Sequence, residues 1–157
     1  MKKTVAAIAF ALTTVLSANA QNLSMNEVDE FTGQTKKVTE YYKVGEGSGY
    51  NLTLSVVQLS DGKTSTFGMY FQTNGDLGCS GSVDEYVIFK FTDGTTVKYE
   101  GIGDVDCTDY ATSTFIINIE DFKDKTVEKI RLRRSDYYND YEVEGNYTVS
   151  ELLTAVK

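Results

Sequence analysis

Carboxylates are the only plentiful reactive groups of this chain, which has 23 Asp and Glu residues and no histidine. The missing imidazole excludes Ser-His-Asp and Cys-His catalysis, histidine-ligated zinc and histidine pH switching. Paired carboxylates could hydrolyse glycosidic bonds at separations of ~5 to 9 Å. The acids are instead spread over polar strand faces and turns, and no pair stands out by its context. We therefore predict a protein that is not an enzyme and has no catalytic residues.

The segment around Cys107 carries alternating carboxylates that are typical of a calcium loop. Asp104, Asp106 and Asp109 could supply oxygen ligands to Ca²⁺, which takes about six to eight of them. An EF-hand loop would need an acid or Asn in place of Thr108 and a glycine in place of Asp109, so only a looser structural calcium site is expected. A solvated acidic loop is the alternative, and no other cofactor is expected. A second, weaker candidate set is Asp136, Asn139 and Asp140.

Tyrosines lie beside these acids near the carboxyl end of the chain. Tyr137, Tyr138, Asp140 and Tyr141 are the predicted binding residues, because exposed tyrosines with nearby carboxylates suit sugar or protein recognition. The chain has no tryptophan, the usual sugar platform, which favours a protein partner over carbohydrate. The alternative is that each strand simply has one tyrosine in the core and one outside.

The two cysteines, Cys79 and Cys107, predict one disulfide in an exported domain. Closing a loop of this length stabilises a protein by ~3.5 kcal/mol on the chain-entropy model. No CxxC motif is present, so the cysteines indicate a structural role rather than oxidoreductase chemistry. Gly78-Cys79-Ser80-Gly81 is accordingly interpreted as a disulfide-bearing turn.

Alternation of apolar and polar residues after residue 35 predicts an all-β fold. We expect an antiparallel β-sandwich or partly open barrel of about 7–9 strands. Gly45, Gly47 and Gly49 predict a flexible loop, and Phe115 to Ile119 predicts a central strand covered on both faces. Ile130 and Leu132 are expected to point inward. Their neighbours on the same strand, Lys129, Arg131 and Arg133, are expected to point outward. There the arginines can face acidic residues of the next strand.

Two Asp-Gly pairs predict hairpins with different registers. A two-residue turn at Asp61-Gly62 would pair Val56 with Phe67, and would put the other apolar residues of both strands on the same face. At the second pair, Asp93-Gly94, the same two-residue turn would pair Phe89 with Lys98 and leave the aromatic residue without an apolar partner across the strands. A three-residue loop, Thr92-Asp93-Gly94, with Gly94 in the left-handed region instead pairs Phe89 with Val97 and Val87 with Tyr99.

The last residues change to helical spacing. Val149, Leu152, Leu153 and Val156 follow the i, i+3, i+4, i+7 pattern of one helix face. Thr148 and Glu151 have the spacing of a capping box. A helix this short is not stable alone, so we expect it to dock on the strands.

The N-terminal segments follow one another in the order that is typical of a secretory signal peptide. Lys2 and Lys3 precede an apolar stretch that is too short for a membrane span, and small residues follow at Ala18-Asn19-Ala20. The opening residues resemble Sec signals of Gram-negative periplasmic and outer-membrane proteins. We therefore expect a cleaved signal over residues 1–20, a single β-sandwich-like domain over 21–157, no membrane span, and a secreted or periplasmic protein, of a Gram-negative bacterium.

The charge of the chain excludes polyanionic partners. It is −8 for the full sequence, and about −10 once the basic count falls from 15 to 13 by removal of Lys2 and Lys3. Nucleic acids are bound by neutralising phosphates with Lys and Arg, so neither nucleic acid nor an anionic membrane surface is an expected partner.

Ser80-Gly81-Ser82 followed by Tyr86 resembles the Ser-Gly loop motif of the membrane-bound lysozyme inhibitors of the C type. The resemblance covers about seven residues, and the tryptophan- and lysine-containing segment expected after the motif is absent. The resemblance implies a protein inhibitor of an extracytoplasmic hydrolase as an alternative function. A match this short does not assign lysozyme inhibition to the chain.

The function that the sequence favours is an exported, non-catalytic binding or structural module of the cell envelope, with its ligand unspecified. The alternative is the hydrolase inhibitor. The further alternative, from another class, is a carboxylate-based glycoside hydrolase.

Overall fold

The computed structural model describes residues 23–74, 78–81, 84–108, 111–135, 137–143 and 148–157. The predicted signal peptide lies outside these residues. The described part of the chain is built almost entirely from antiparallel strands, and it ends in one short helix. The elements are β1 Leu23–Val28, β2 Thr35–Thr39, β3 Tyr42–Gly47, β4 Tyr50–Ser60, β5 Ser65–Thr73, β6 Tyr86–Phe91, β7 Thr96–Ile102, β8 Ser113–Ile117, a 3-10 turn Ile119–Phe122, β9 Val127–Arg134, β10 Tyr137–Val143 and α1 Val149–Val156.

Eight of these strands close into a barrel in the order β3–β4–β5–β8–β7–β6–β9–β10, with β10 pairing back to β3. The long strand β4 makes this possible because one of its edges pairs with β3 near Tyr50 and with β2 near Ser60. The hairpin β1–β2 therefore extends from the barrel as two further strands. The all-β prediction with a C-terminal helix is confirmed, and the closed barrel settles the choice between sandwich and barrel.

The core fills the barrel with large apolar side chains from alternate strand positions, as the sequence pattern predicts. Phe71 contacts both Phe89 and Phe115, with ring centroids 6.1 and 5.8 Å apart. Phe122 from the 3-10 turn packs edge-on against Phe89 at 4.9 Å. The other fully buried members include Leu52, Leu54, Val56, Met69, Val87, Ile130, Leu132 and Tyr141.

Helix α1 docks on the strands through its apolar face, as predicted. Its residues Val149, Leu152, Leu153 and Val156 are all buried in the common core. The capping box is confirmed, because Thr148 Oγ1 accepts from the Glu151 amide and the Glu151 carboxylate accepts from the Thr148 amide. The helix contacts β2 and β4, so it ties the extension to the barrel wall.

The two hairpin registers have different outcomes. Val87 pairs with Tyr99 and Phe89 with Val97, which confirms the second register with its loop through Gly94. The register of the first hairpin was wrong by two residues, because Val56 pairs with Met69 instead of Phe67.

The turn of the first hairpin is longer than predicted because the Asp61 side chain forms hydrogen bonds within the loop. Ser60 pairs with Ser65, so the loop has four residues instead of two. Asp61 Oδ1 accepts from the backbone amides of Lys63 and Thr64 at 2.9 and 2.7 Å. A shift of two residues keeps every side chain on its face, so the apolar pattern alone did not distinguish the registers.

The prediction of a flexible loop at the glycine-rich stretch was also wrong, because Gly45 and Gly47 belong to β3. A Cβ on Gly45 would lie 2.8 Å from the carbonyl oxygen of Glu142, and one on Gly47 would lie 2.9 Å from the carbonyl carbon of Asp140. These glycines therefore let the backbones of β3 and β10 approach closely where the barrel closes.

Strand β8 is central, between β5 and β7, but only one of its faces is covered. Phe115 and Ile117 are buried, whereas Ile116 is 55% exposed, so the prediction of cover on both faces was wrong. In a barrel the second face of a strand points outward, and no layer of the described residues covers Ile116. Strand β9 follows its prediction, with Ile130 and Leu132 in the core.

Within the described residues, no helix has the length and apolar character needed to cross a membrane.

Candidate binding face

Three adjacent strands, β10, β9 and β6, place tyrosines and arginines on the outside of the barrel. Arg133 stands in register with Tyr138 on one side and with Tyr86 on the other. Arg131, two residues earlier on β9, points to the same side. We call Tyr86, Arg131, Arg133 and Tyr138 the tyrosine–arginine face.

Arg131 is neutralised by its cross-strand neighbour. Its Nε and Nη2 donate to the two carboxylate oxygens of Asp140 at 2.5 and 2.7 Å. This fork lowers the pKa of the Asp140 carboxyl below its usual range, chiefly through the hydrogen bonds from Arg131. The guanidinium also lies 4.8 Å from the ring centroid of Tyr138, so Asp140 and Arg131 together orient that tyrosine.

The lysines around the tyrosine–arginine face have carboxylate partners as well. Each of these ion pairs is at least partly exposed to solvent, so each contributes little stability and mainly sets the local charge. The hydrogen bond from Lys129 to Glu142 raises the pKa of that ammonium group. The pairs are Lys129–Glu142 at 2.5 Å, Lys98–Glu100 at 2.6 Å and Lys90–Glu128 at 3.2 Å.

Arg133 differs from its neighbours because it forms no ion pair with any described carboxylate. Its Nε donates to the backbone carbonyl of Ser135 at 3.1 Å. Its guanidinium carbon lies 5.7 Å from the ring centroid of Tyr86, and Lys98 Nζ approaches the same ring at 4.5 Å. The distinctive feature of this face is a partly buried, oriented cation that contacts the Tyr86 ring and lies in register with Tyr138 on the other side.

The structure separates the four residues predicted to bind. Tyr137 and Tyr138 are 64% and 60% exposed, and Asp140 is exposed beside Arg131. Tyr141 instead lies wholly inside the barrel, where its hydroxyl contacts Thr73 Oγ1 at 3.4 Å, so it is not part of this surface. Its position follows from alternation, which sends every second residue of β10 inward.

The predicted disulfide between Cys79 and Cys107 is confirmed. It joins two loops that also exchange backbone hydrogen bonds, since the amide of Ser80 donates to the Asp106 carbonyl at 2.8 Å and the reverse bond is 3.2 Å. We call these paired loops, residues 78–81 and 103–108, the disulfide lid. Ser80 is buried in the lid, and Ser82 of the lysozyme-inhibitor-like motif lies outside the described residues.

Beneath the disulfide lid lies a buried ionic network that the sequence analysis missed. Arg134 Nε donates to Ser113 Oγ at 2.6 Å, and the Ser113 hydroxyl donates to Glu85 Oε1. The other oxygen of Glu85 accepts from the Gly81 amide of the lid at 2.7 Å. The available signal was Arg134 at an inward position of β9, where a charged residue interrupts the alternation.

The residues predicted to bind calcium are only partly described. Asp104 is exposed, and Asp106 accepts a hydrogen bond from the Thr108 amide at 2.9 Å. Asp109 lies outside the described residues, as does Asp136 of the weaker candidate set. Across the described ranges no group of three or more Cys, Asp or Glu is placed to hold a metal ion. The calcium site stays a prediction.

The geometry of the tyrosine–arginine face suits the binding of another molecule at the surface of the barrel. It offers flat aromatic rings, one cation without a carboxylate partner among the described residues and a rigid sheet behind them. No family model, curated protein or solved structure matches this chain.

Proposed function

We propose that this protein is an exported, non-catalytic module that binds a protein partner in the cell envelope through its tyrosine–arginine face. The observation that carries the proposal is the position of Arg133, which lies in register between Tyr138 and Tyr86 without a carboxylate partner among the described residues.

The composition of the face supports a protein partner. Tyrosine and arginine are enriched among the residues that contribute most of the binding energy at protein interfaces, and lysine and glutamate are depleted there. Here the two arginines and two tyrosines are central, while the Lys–Glu pairs surround them. This is the arrangement of an interface centre with a charged rim.

The rigidity of the face supports the same function. Its side chains stand on paired strands of a closed barrel, and Arg131 is held by a two-pronged contact with Asp140. Side chains that are already ordered lose less conformational entropy on binding, which raises affinity for a given contact area.

The disulfide supports export, because disulfides persist in oxidising compartments and are rare in the cytosol. Glu85 is removed from the acids that could act on a substrate. This acid is buried at 1% exposure and is hydrogen-bonded to Ser113 and Gly81, so it is not open to a substrate.

Affinity capture from native envelope extract tests the proposal. The mature protein is immobilised beside a Tyr86→Ser, Tyr138→Ser variant and a Tyr50→Ser control, which removes an exposed tyrosine from another part of the barrel. We expect one protein to be captured by the wild type and the control but not by the double variant, and the purified partner to rebind with the same pattern. Equal capture by all three forms would reject the tyrosine–arginine face as the binding site.

A further inference from the structure

The charges around the tyrosine–arginine face balance except at one position. Four cations on or around the face have a carboxylate within salt-bridge distance. These neutralised cations are Lys90, Lys98, Lys129 and Arg131. Arg133 has no carboxylate partner in the described chain, so it supplies one positive charge that the described residues do not neutralise.

The side chain of Arg133 is oriented for an incoming anion. Its Nε–H is used by the Ser135 carbonyl, and its ring contact with Tyr86 restricts the guanidinium further. The two terminal nitrogens have no acceptor among the described residues. Their paired N–H groups match the two oxygens of a carboxylate, which is the geometry of the strongest arginine contacts.

We propose that Arg133, between Tyr86 and Tyr138, is a carboxylate-binding site that receives a single acidic side chain of the partner protein. This proposal rests on the proposed function and names the chemistry of its ligand. The Tyr86 ring beside Arg133 offers apolar contact to the methylene groups of an Asp or Glu side chain, and the exposed Tyr138 ring, in register on β10, offers it to the neighbouring residues of the partner. They also lower the local dielectric and so strengthen the ionic hydrogen bonds.

The same charge balance disfavours a polyanion. Only one cation of the face is uncompensated by described residues. A second anionic group alongside it would approach the carboxylates of Asp140, which pairs with Arg131, and of Glu100, which pairs with Tyr86. The net charge of the chain, −8, adds a repulsion that grows with the charge of the ligand. An isolated carboxylate in an otherwise neutral segment is therefore the ligand that fits.

A small probe isolates this site from the rest of the interface. N-acetylphenylalanine carries one carboxylate and one aromatic ring, and N-acetylphenylalaninamide is its uncharged match. Both are titrated at millimolar concentration into labelled mature protein, and the Arg133 Nε–H and the ring signals of Tyr86 and Tyr138 are followed by NMR. We expect saturable shifts with the acid and none with the amide.

Variants then assign the shifts to Arg133. Arg133→Gln is expected to abolish them, whereas Lys36→Gln, which removes one positive charge on strand β2, is expected to leave them unchanged. Equal shifts with acid and amide, or shifts that persist in Arg133→Gln, would overturn the proposal. Tighter binding of heparin or polyglutamate than of the single-carboxylate probe would also overturn it, in favour of a polyanion surface.

The captured partner distinguishes this proposal from the proposed function. We expect Arg133→Gln to weaken binding of the purified partner by about 10- to 100-fold. If the partner is lost in the Tyr86→Ser, Tyr138→Ser variant but retained at full affinity by Arg133→Gln, the binding face stands and the carboxylate site fails. If neither variant changes partner binding, the proposed function itself fails.

Discussion

Arg134 and Glu85 form an ion pair inside the barrel, with Arg134 Nε 3.8 Å from Glu85 Oε1 and the Ser113 hydroxyl hydrogen-bonded to both. Arg134 is only 2% exposed, and its Nη2 donates to the carbonyls of Ala111 and Phe71 at 2.7 and 3.2 Å. Glu85 in turn accepts from Gly81 of the disulfide lid. One network therefore connects the barrel wall to the disulfide-braced loops that cover it.

Neutralising Glu85 should destabilise the protein strongly. In Glu85→Gln the buried guanidinium of Arg134 loses the counter-charge that Glu85 supplies, and breaking a buried pair in this way costs about 3–5 kcal/mol. The free energy of unfolding, measured by urea denaturation, checks this. Glu100→Gln on the exposed outer face removes the same charge from a surface pair and should change stability by less than about 1 kcal/mol.

A double variant tests whether the two residues act as a pair. Glu85→Gln combined with Arg134→Met should lose less stability than the two single variants added together, by at least about 1 kcal/mol, because neither charge remains buried alone. Additive losses would show that the two side chains stabilise the fold independently.

Removing the disulfide should lower the free energy of unfolding in two ways. The unfolded chain gains conformational entropy, and the Glu85–Arg134 network loses support from the disulfide lid. Replacing Cys79 and Cys107 with serine is expected to cost about 2–4 kcal/mol. It also releases the loop that presents the Gly81 amide to Glu85. Chemical denaturation with and without reductant measures the loss, and the reductant should have no effect on the serine variant. An unchanged denaturation midpoint in the wild type under reductant would contradict this prediction.

The fold class and the local pairings were predictable from sequence because they depend on alternation and turn chemistry. The confirmed register at Gly94 follows from the requirement to place Phe89 opposite Val97. The register predicted at Asp61 failed because its loop is set by hydrogen bonds that one carboxylate accepts from the backbone amides of Lys63 and Thr64, which apolar patterning does not encode.

The candidate site was predictable only in part, for a related reason. Tyr138 and Asp140 were identified from their local context, but Tyr141 next to them is buried because β10 alternates. The importance of Arg133 could not be foreseen. It depends on which neighbouring cations find carboxylates across strands, and on Tyr86, which comes from a distant part of the chain. The Glu85–Arg134 pair depends in the same way on strand order.

A methyl group at Gly47 should open the barrel where β3 meets β10. A Cβ there would overlap the backbone of Asp140, with 2.9 Å to the carbonyl carbon, and backbone cannot move aside as a side chain can. Gly47→Ala is expected to cost at least about 2 kcal/mol, toward the upper range for overpacking. Gly62→Ala is the control, because it has open space around its Cβ and is strained only by a positive φ of 83°. A smaller loss in Gly47→Ala than in this control would show that the strands can separate freely.

The Arg131–Asp140 pair should add a small stability that depends on pH. The pKa of Asp140 is lowered by Arg131, so the contribution is present above the unfolded carboxyl pKa of about 3.9 and is lost as pH falls through the lower folded value. Asp140→Asn should therefore cost no more than about 1 kcal/mol at neutral pH, and the difference should disappear in acid. Thermal unfolding from neutral pH down to about pH 2, well below the unfolded carboxyl pKa, follows this, and a difference that grows in acid would contradict it.

Asp140→Asn should also change what the tyrosine–arginine face binds. The substitution removes the carboxylate that neutralises Arg131, so two uncompensated guanidinium groups would stand two residues apart on β9. Affinity for the single-carboxylate probe should rise, and a dicarboxylate such as N-acetylglutamate should gain more than the monocarboxylate because it can engage both arginines. The matched control is Glu142→Gln, which also removes one negative charge but frees Lys129 instead of Arg131. If both variants increased binding equally, the effect would come from net charge alone, and the arginine forks would have no directional role in binding.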